Sequence, residues 1–283
     1  MIDLNNLEGF DSMDDIRKEL ERRMKAHNAG AIDDFDGLTP NEMATLQHQF
    51  PNSKTPLGIR KLSEKDLEQC PMLMQVRYLI DKMKGGNHIE LTKTGALKPA
   101  LAKEIYALGY LKDEWIEQGI SKFVKEGDVF NLSLTRILLQ ISSLAKKRKD
   151  TLSLTKKGEE FADDGNAILK ELIDTLISKF NWAYGDGFDS EDIGKINPGY
   201  SFYLLKKYGD KERTAEFYAE LYFKALPMLL MEDKETSYRC YISRTFRSYF
   251  LYFGFIEIKE RNHWSDPIIL KKTPFFDALI SEG

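Results

Sequence analysis

The chain has only two cysteines in 283 residues, Cys70 and Cys240, far apart in sequence. They make no disulfide framework, which fits a reducing compartment. Histidine is also scarce. His27, His48, His88 and His263 are scattered, with no HExxH pair and no neighbouring cysteine, so no zinc site is expected. No apolar run approaches the ~18–20 residues that a membrane span needs. The opening segment MIDLNNLEGFDSMDD is acidic and polar, unlike a secretory or transit leader. A cytoplasmic protein without a membrane partner is the expectation. GxSxG, Walker and dinucleotide fingerprints are lacking, so no catalytic residue is assigned, and a non-enzymatic protein without cofactor is expected. Asp186, Asp189, Glu191 and Asp192 form an acidic loop, but their spacing does not fit a calcium-binding loop, and a hydrated surface loop is expected instead.

A strong excess of one charge is missing as well. The net charge of −4 gives no reason to expect nucleic-acid binding by the chain as a whole. What is present is a core-forming composition, 42% hydrophobic and 12% aromatic, which excludes wholesale disorder. The length suggests two domains with room for a smaller arm.

Charge is segregated. The stretch Asn131–Gly158, NLSLTRILLQISSLAKKRKDTLSLTKKG, holds seven Lys/Arg and one acid, Asp150, so the rest of the chain is markedly acidic. Such segregation allows a local anion site on an acidic body. Leu134, Ile137, Leu138, Ile141 and Leu144 recur at helical spacing. Ser133, Arg136, Gln140, Ser143 and Lys147 share the opposite face. The run Lys146-Lys147-Arg148-Lys149 follows, then the alternating Thr151–Thr155 and the close Leu154-Thr155-Lys156-Lys157-Gly158.

Upstream, Pro71–Lys84 is an amphipathic helix with Met72, Val76, Leu79, Ile80 and Met83 as its buried stripe. Ile89–Thr92 alternates as a short strand, and a helix runs from about Leu97 to Leu108. Residues 110–129 are less regular and read as one helical turn and a loop. The order helix, strand, helix, helix, hairpin, helix, together with the L-T-K-x-G close and the basic turn, resembles winged-helix regulators, the MarR-like ones included, over about residues 71–163. The resemblance implies a recognition helix followed by a wing that contacts double-stranded DNA. IELTKTG at Ile89–Gly95 repeats the local pattern without a hairpin before it.

Beyond this unit, Asn166–Phe180 is a helix with Ile168, Leu172, Leu176 and Ile177 on one side. That stripe either pairs across a two-fold axis in a homodimer or packs within one chain. The Gly- and Asp-rich Trp182–Gly199 segment reads as an exposed linker. Helices over Tyr200–Tyr208, Thr214–Leu226 and Thr236–Phe253, strands at Phe255–Lys259 and Pro267–Lys271, and a closing helix FFDALI repeat the same order. The expected fold is therefore mostly α with short β-hairpins. It comprises two winged-helix-like halves (63–165 and 197–283) joined by a helix and linker (166–196), with an N-terminal helical arm (1–62).

The candidate nucleic-acid contacts are Ser133, Arg136, Gln140 and Ser143, whose side chains could read base edges, and Lys146, Lys147, Arg148 and Lys149, which would hold phosphates. Arg239, Arg244 and Arg247 are candidates for binding phosphate or a protein partner's carboxylates, or for internal pairing. Aromatics are dense in the C-terminal half and mostly core by spacing. Tyr241 and Tyr252 fall off the apolar arc and could form a contact patch. DNA binding of regulatory type is the leading expectation. The alternative is a protein-interaction module on the same scaffold, and an enzyme using the Trp182–Gly199 loop is a distant third.

Overall fold

The computed structural model describes residues 12–54, 56–259, 263 and 266–283; the acidic opening segment before Ser12 lies outside them. The chain begins with α1 (Met13–Asn28), capped by the Ser12 side chain. No side chain of α1 is fully buried. Arg22 and Arg23 bind Glu19 and hold its carboxyl down at about 2. Helix α2 (Pro40–His48) starts on the capping box read from the sequence, with Thr39 and Glu42 exchanging hydrogen bonds. Strand β1 (Leu57–Ile59) and the short α3 (Glu64–Leu67) lead into the first half.

That half comprises α4 (Pro71–Met83), β2 (Ile89–Glu90), α5 (Pro99–Ala107), the single-turn α6 (Glu114–Glu117), α7 (Phe130–Ile141), the hairpin β3 (Ala145–Arg148) and β4 (Thr151–Leu154), and α8 (Lys156–Phe161). Its antiparallel sheet has the order β2-β4-β3. Helix α9 (Gly165–Ser178) packs against α4 and α7. Its stripe of Ile168, Leu172, Leu176 and Ile177 is buried inside the chain. The homodimer route through that stripe is therefore closed, because the apolar face is already covered.

The second half runs α10 (Pro198–Tyr208), β5 (Arg213–Thr214), α11 (Ala215–Ala225), α12 (Lys234–Ile242) continued by a π-helix over Ser243–Phe250, β6 (Ile256–Ile258), β7 (Ile269–Lys272) and α13 (Pro274–Leu279). Its sheet order is β5-β7-β6, the counterpart of the first. The protein is thus mostly α-helical, with small antiparallel sheets. A last strand, β8 (Ile280–Glu282), crosses back to pair with β1, Leu57 opposite Glu282 and Ile59 opposite Ile280. Leu46, Phe50 and Leu57 are buried, so the later part of the N-terminal arm belongs to the core and only α1 stays peripheral.

The two halves share a joint as well as an order. In the first, the segment after α7 turns at Ser143 (φ +62°), and Thr155 returns to it. The Thr155 hydroxyl donates to the Ser143 carbonyl (2.6 Å), its amide donates to Leu144, and its side chain caps α8. In the second, the turn is Gly254 (φ +74°), and Thr273 makes the same three bonds, to Gly254 (2.7 Å), to Phe255 and to the first turn of α13. The L-T-K-K-G close is therefore a strand end and a helix N-cap in one residue.

Gly158 has its own cause: a Cβ there would overlap the Leu144 carbonyl oxygen. Gly158→Ala should lower stability by roughly 1–3 kcal/mol as the backbone shifts to relieve the overlap. Chemical denaturation checks this, and an unchanged midpoint would contradict it.

The Trp182–Gly199 segment differs from the exposed linker expected of it. Trp182 is buried and donates its indole N–H to the Leu176 carbonyl (2.9 Å). Ile193 and Asn197 are buried too, and Asn197 donates to the Met43 carbonyl (3.1 Å). Inside the loop sits Arg244 of the π-helix, 2% exposed. It donates to the carbonyls of Ile193 (2.8 Å) and Ser190 (2.8 Å) and forks onto the Asp186 carboxylate. A buried guanidinium needs several acceptors, and the loop is folded around supplying them.

Candidate nucleic-acid interface

Helix α7 forms because Leu134, Leu138 and Leu139 supply a buried face; Asn131 and Thr135 are buried with them. The Thr135 hydroxyl lies 2.8 Å from the Gln75 side-chain oxygen of α4. The polar stripe on the other side is not the open surface that its spacing predicted. Arg136 is only 15% exposed at the side chain, and its partner Glu126 is 1% exposed. Arg136 Nε lies 2.9 and 3.1 Å from the two Glu126 oxygens, Nη2 lies 2.8 Å from one of them, and Nη1 donates to Gln140 Oε1 at 2.9 Å. The Ser133 hydroxyl donates to the Glu126 carbonyl at 3.4 Å. The Leu97 amide also donates to the Glu126 carboxylate.

Ser133, Arg136 and Gln140 thus belong to one internal network around a buried carboxylate. A base-reading role for Arg136 and Gln140 is corrected on this ground: the Arg136 guanidinium is committed to Glu126, and the Gln140 side-chain oxygen accepts from Arg136. The network ties the start of α5 to α7. Glu126 escaped the sequence because it sits in a polar loop without periodicity, ten residues from its partner.

Ser143 is exposed, at the left-handed turn that ends the helix. Beyond it, Lys146, Lys147, Arg148 and Lys149 are all exposed, and they lie on a hairpin rather than a loose connection. Lys146 pairs with Ser153 and Arg148 with Thr151, so these four side chains share the outer face. Lys147 pairs with the buried Leu152 on the other face, and its ammonium lies over Gly95. Lys149 (φ +51°) forms the tip with Asp150. None of the four cations has an acidic partner among the described residues.

A further cation joins them. The Leu91 amide donates to the Asp150 carbonyl (2.8 Å), which brings the Thr92–Ala96 turn beside the hairpin and places exposed Lys93 there. The only signal for Lys93 in the sequence was the IELTKTG echo.

The C-terminal arginines separate. Arg244 is the buried staple of the 182–197 loop, which removes it from any partner surface. Arg247 is 40% exposed and faces Glu114 at 3.7 Å. Arg239 is exposed on α12. Tyr241 is fully buried, its hydroxyl 2.8 Å from that of Ser201, so it leaves the proposed contact patch; Tyr252 is half-buried, 6.3 Å from the Phe130 ring at the start of α7. Burial pushes the thiols of Cys70 and Cys240 up, to about 12 and about 11, so both stay protonated and inert.

No helix among the described residues is long and apolar enough to cross a membrane. Neither a curated protein nor a solved structure matches the chain. Residues 68–167, roughly a third of the sequence, match the model of the Y4jL N-terminal domain, so the stretch holding α4 to α8 and the basic hairpin is similar to that domain.

Proposed function

We propose that the protein is a non-enzymatic, cytoplasmic, DNA-binding regulator that grips duplex phosphates through the β3–β4 hairpin. The observation that carries this is a hairpin whose four cations, Lys146 and Arg148 on the outer face, Lys147 on the other and Lys149 at the tip, are exposed and without carboxylate partners among the described residues, on a body that is otherwise acidic. The helix order and the β2-β4-β3 sheet support a winged-helix reading, in which this hairpin is the wing. Because Arg136 is bound to Glu126 and Gln140 to Arg136, the contact made is chiefly to the backbone of the duplex and depends little on sequence.

Changing Lys147 and Arg148 together to alanine removes two cationic contacts. Binding should weaken alike for all duplexes, and the salt slope should become shallower by about two units, each contact contributing ~0.9. Fluorescence anisotropy over a salt series measures this. A slope that stays the same would contradict the assignment.

A protein-interaction module is the second reading. What favours it is the connection between α5 and α7, where Ile120 and Val124 are 61% and 58% exposed.

A further inference from the structure

A cleft of about 610 Å3 opens between α6 of the first half and the π-helix and β6–β7 hairpin of the second. A π-helix is rare, and where one occurs it often serves a site. Its wide turn sets Ser243, Arg247 and Ser248 along one wall of this cleft, and Tyr252 follows just beyond it. The facing wall is Lys112, Glu114, Trp115 and Gln118; Ile258 and Ile268 form an apolar part, and Lys259 stands at the rim. A smaller pocket of about 200 Å3 continues past Ser243, Ser248 and Tyr252 to Phe130. The volume is that of a small-molecule site, and the two halves meet here, where such sites are common.

The wall chemistry narrows the occupant. Trp115 keeps 46% of its surface exposed, and Tyr252 presents a second ring. Burial raises the Tyr252 hydroxyl to about 12, so it remains a donor. Three cations, Lys112, Arg247 and Lys259, line the cleft against two acids. One acid, Asp113, is committed to capping α6, accepting from the amides of Trp115 (3.0 Å) and Ile116 (3.2 Å). The other, Glu114, accepts from the Gln118 amide (3.2 Å) and lies 3.7 Å from Arg247, without the forked geometry of a strong pair. The carboxylates facing Lys112 (Glu117, 3.7 Å) and Lys259 (Glu212, 3.0 Å) are surface pairs of little net stability, which an anion can displace.

We propose that this cleft is a nucleoside-phosphate site, with the base against Trp115 and Tyr252, the phosphate on Arg247 with Lys112 and Lys259, and the Ser243 and Ser248 hydroxyls toward the sugar. A phosphate monoester carries about −1.5 to −2 charges near neutral pH and suits three cations better than a single carboxylate does. Arg247 binds it through two parallel N–H donors, and the Gln118 side-chain oxygen is left for a base edge while its amide nitrogen donates to Glu114. The site is separate from the basic hairpin, so neither proposal depends on the other.

Isothermal titration of the full chain with AMP, adenosine, ribose 5-phosphate and benzoate tests it. AMP should bind saturably, and the other three at least about tenfold more weakly, since each lacks the phosphate or the base. Arg247→Ala and Trp115→Ala should each weaken AMP at least about tenfold with an unchanged circular-dichroism spectrum. Arg239→Ala and the Lys147→Ala, Arg148→Ala pair should leave AMP binding as it was. Should Arg247→Ala unfold, Arg247→Gln is read in its place. No saturable heat with millimolar AMP, adenosine or benzoate equal to AMP, undiminished affinity in the Arg247 variant, or loss of binding in the hairpin variant would each overturn the proposal.

Discussion

Replacing Glu126 by alanine should cost the protein about 3 kcal/mol of folding stability, because breaking one side of a buried ion pair leaves the other charge without compensation. The carboxylate is almost wholly buried, holds the Arg136 guanidinium and accepts from the Leu97 amide, so one substitution strands two donors. Arg136→Ala should destabilise comparably from the other side, leaving a buried carboxylate. Replacing both residues with apolar side chains of similar volume, Glu126→Leu with Arg136→Met, should recover most of the loss. Urea denaturation of the three variants decides it. A single-variant loss below about 1 kcal/mol would mean that water reaches the pair and the network contributes little. The consequence for function is direct. A change at Arg136 registers as stability, whereas an exposed base-reading arginine would register as altered sequence preference.

Arg244→Ala should be at least as costly, about 3–5 kcal/mol. It removes a fully buried guanidinium from Asp186 and frees the carbonyls of Ser190 and Ile193. Lysine should rescue little, since one ammonium cannot reproduce the fork that spans a carboxylate and two carbonyls. The 184–191 part of the loop should then become the first site of limited proteolysis, whereas the parent protein should resist cleavage there. Equal cleavage of parent and variant would show that Arg244 does not hold the loop.

The local elements were largely legible. Pro71–Met83, Phe130–Ile141 and Gly165–Ser178 are helices because their apolar residues recur at helical spacing, and the Thr39 box and the Gly85-Gly86 stop lie where their chemistry places them. The β3–β4 hairpin was legible from the alternation after a basic run. What could not be read was non-local. The β1–β8 pairing joins residues at opposite ends of the chain and leaves no local trace. The change from α12 to a π-helix at Ser243 is not announced by the spacing of its apolar residues. The same holds at the candidate site. Periodicity placed Arg136 on the polar face of α7 correctly but could not show that Glu126, from a loop, would cover it. The four hairpin cations were found because a charge run at a β-turn needs no partner to be recognised. Lys93 was missed because only the register of β4 with β2 and the following turn brings it there.

The central claim is that the basic hairpin binds duplex phosphates, and the salt dependence of duplex binding by the unmodified protein tests it most directly. With three to four phosphate contacts, the logarithm of the association constant should fall linearly with the logarithm of salt concentration, with a slope of about −2.7 to −3.6, and nearly alike for unrelated sequences. No salt-dependent binding at low ionic strength would contradict the account and leave the exposed α5–α7 connection as the surface that defines the protein's role.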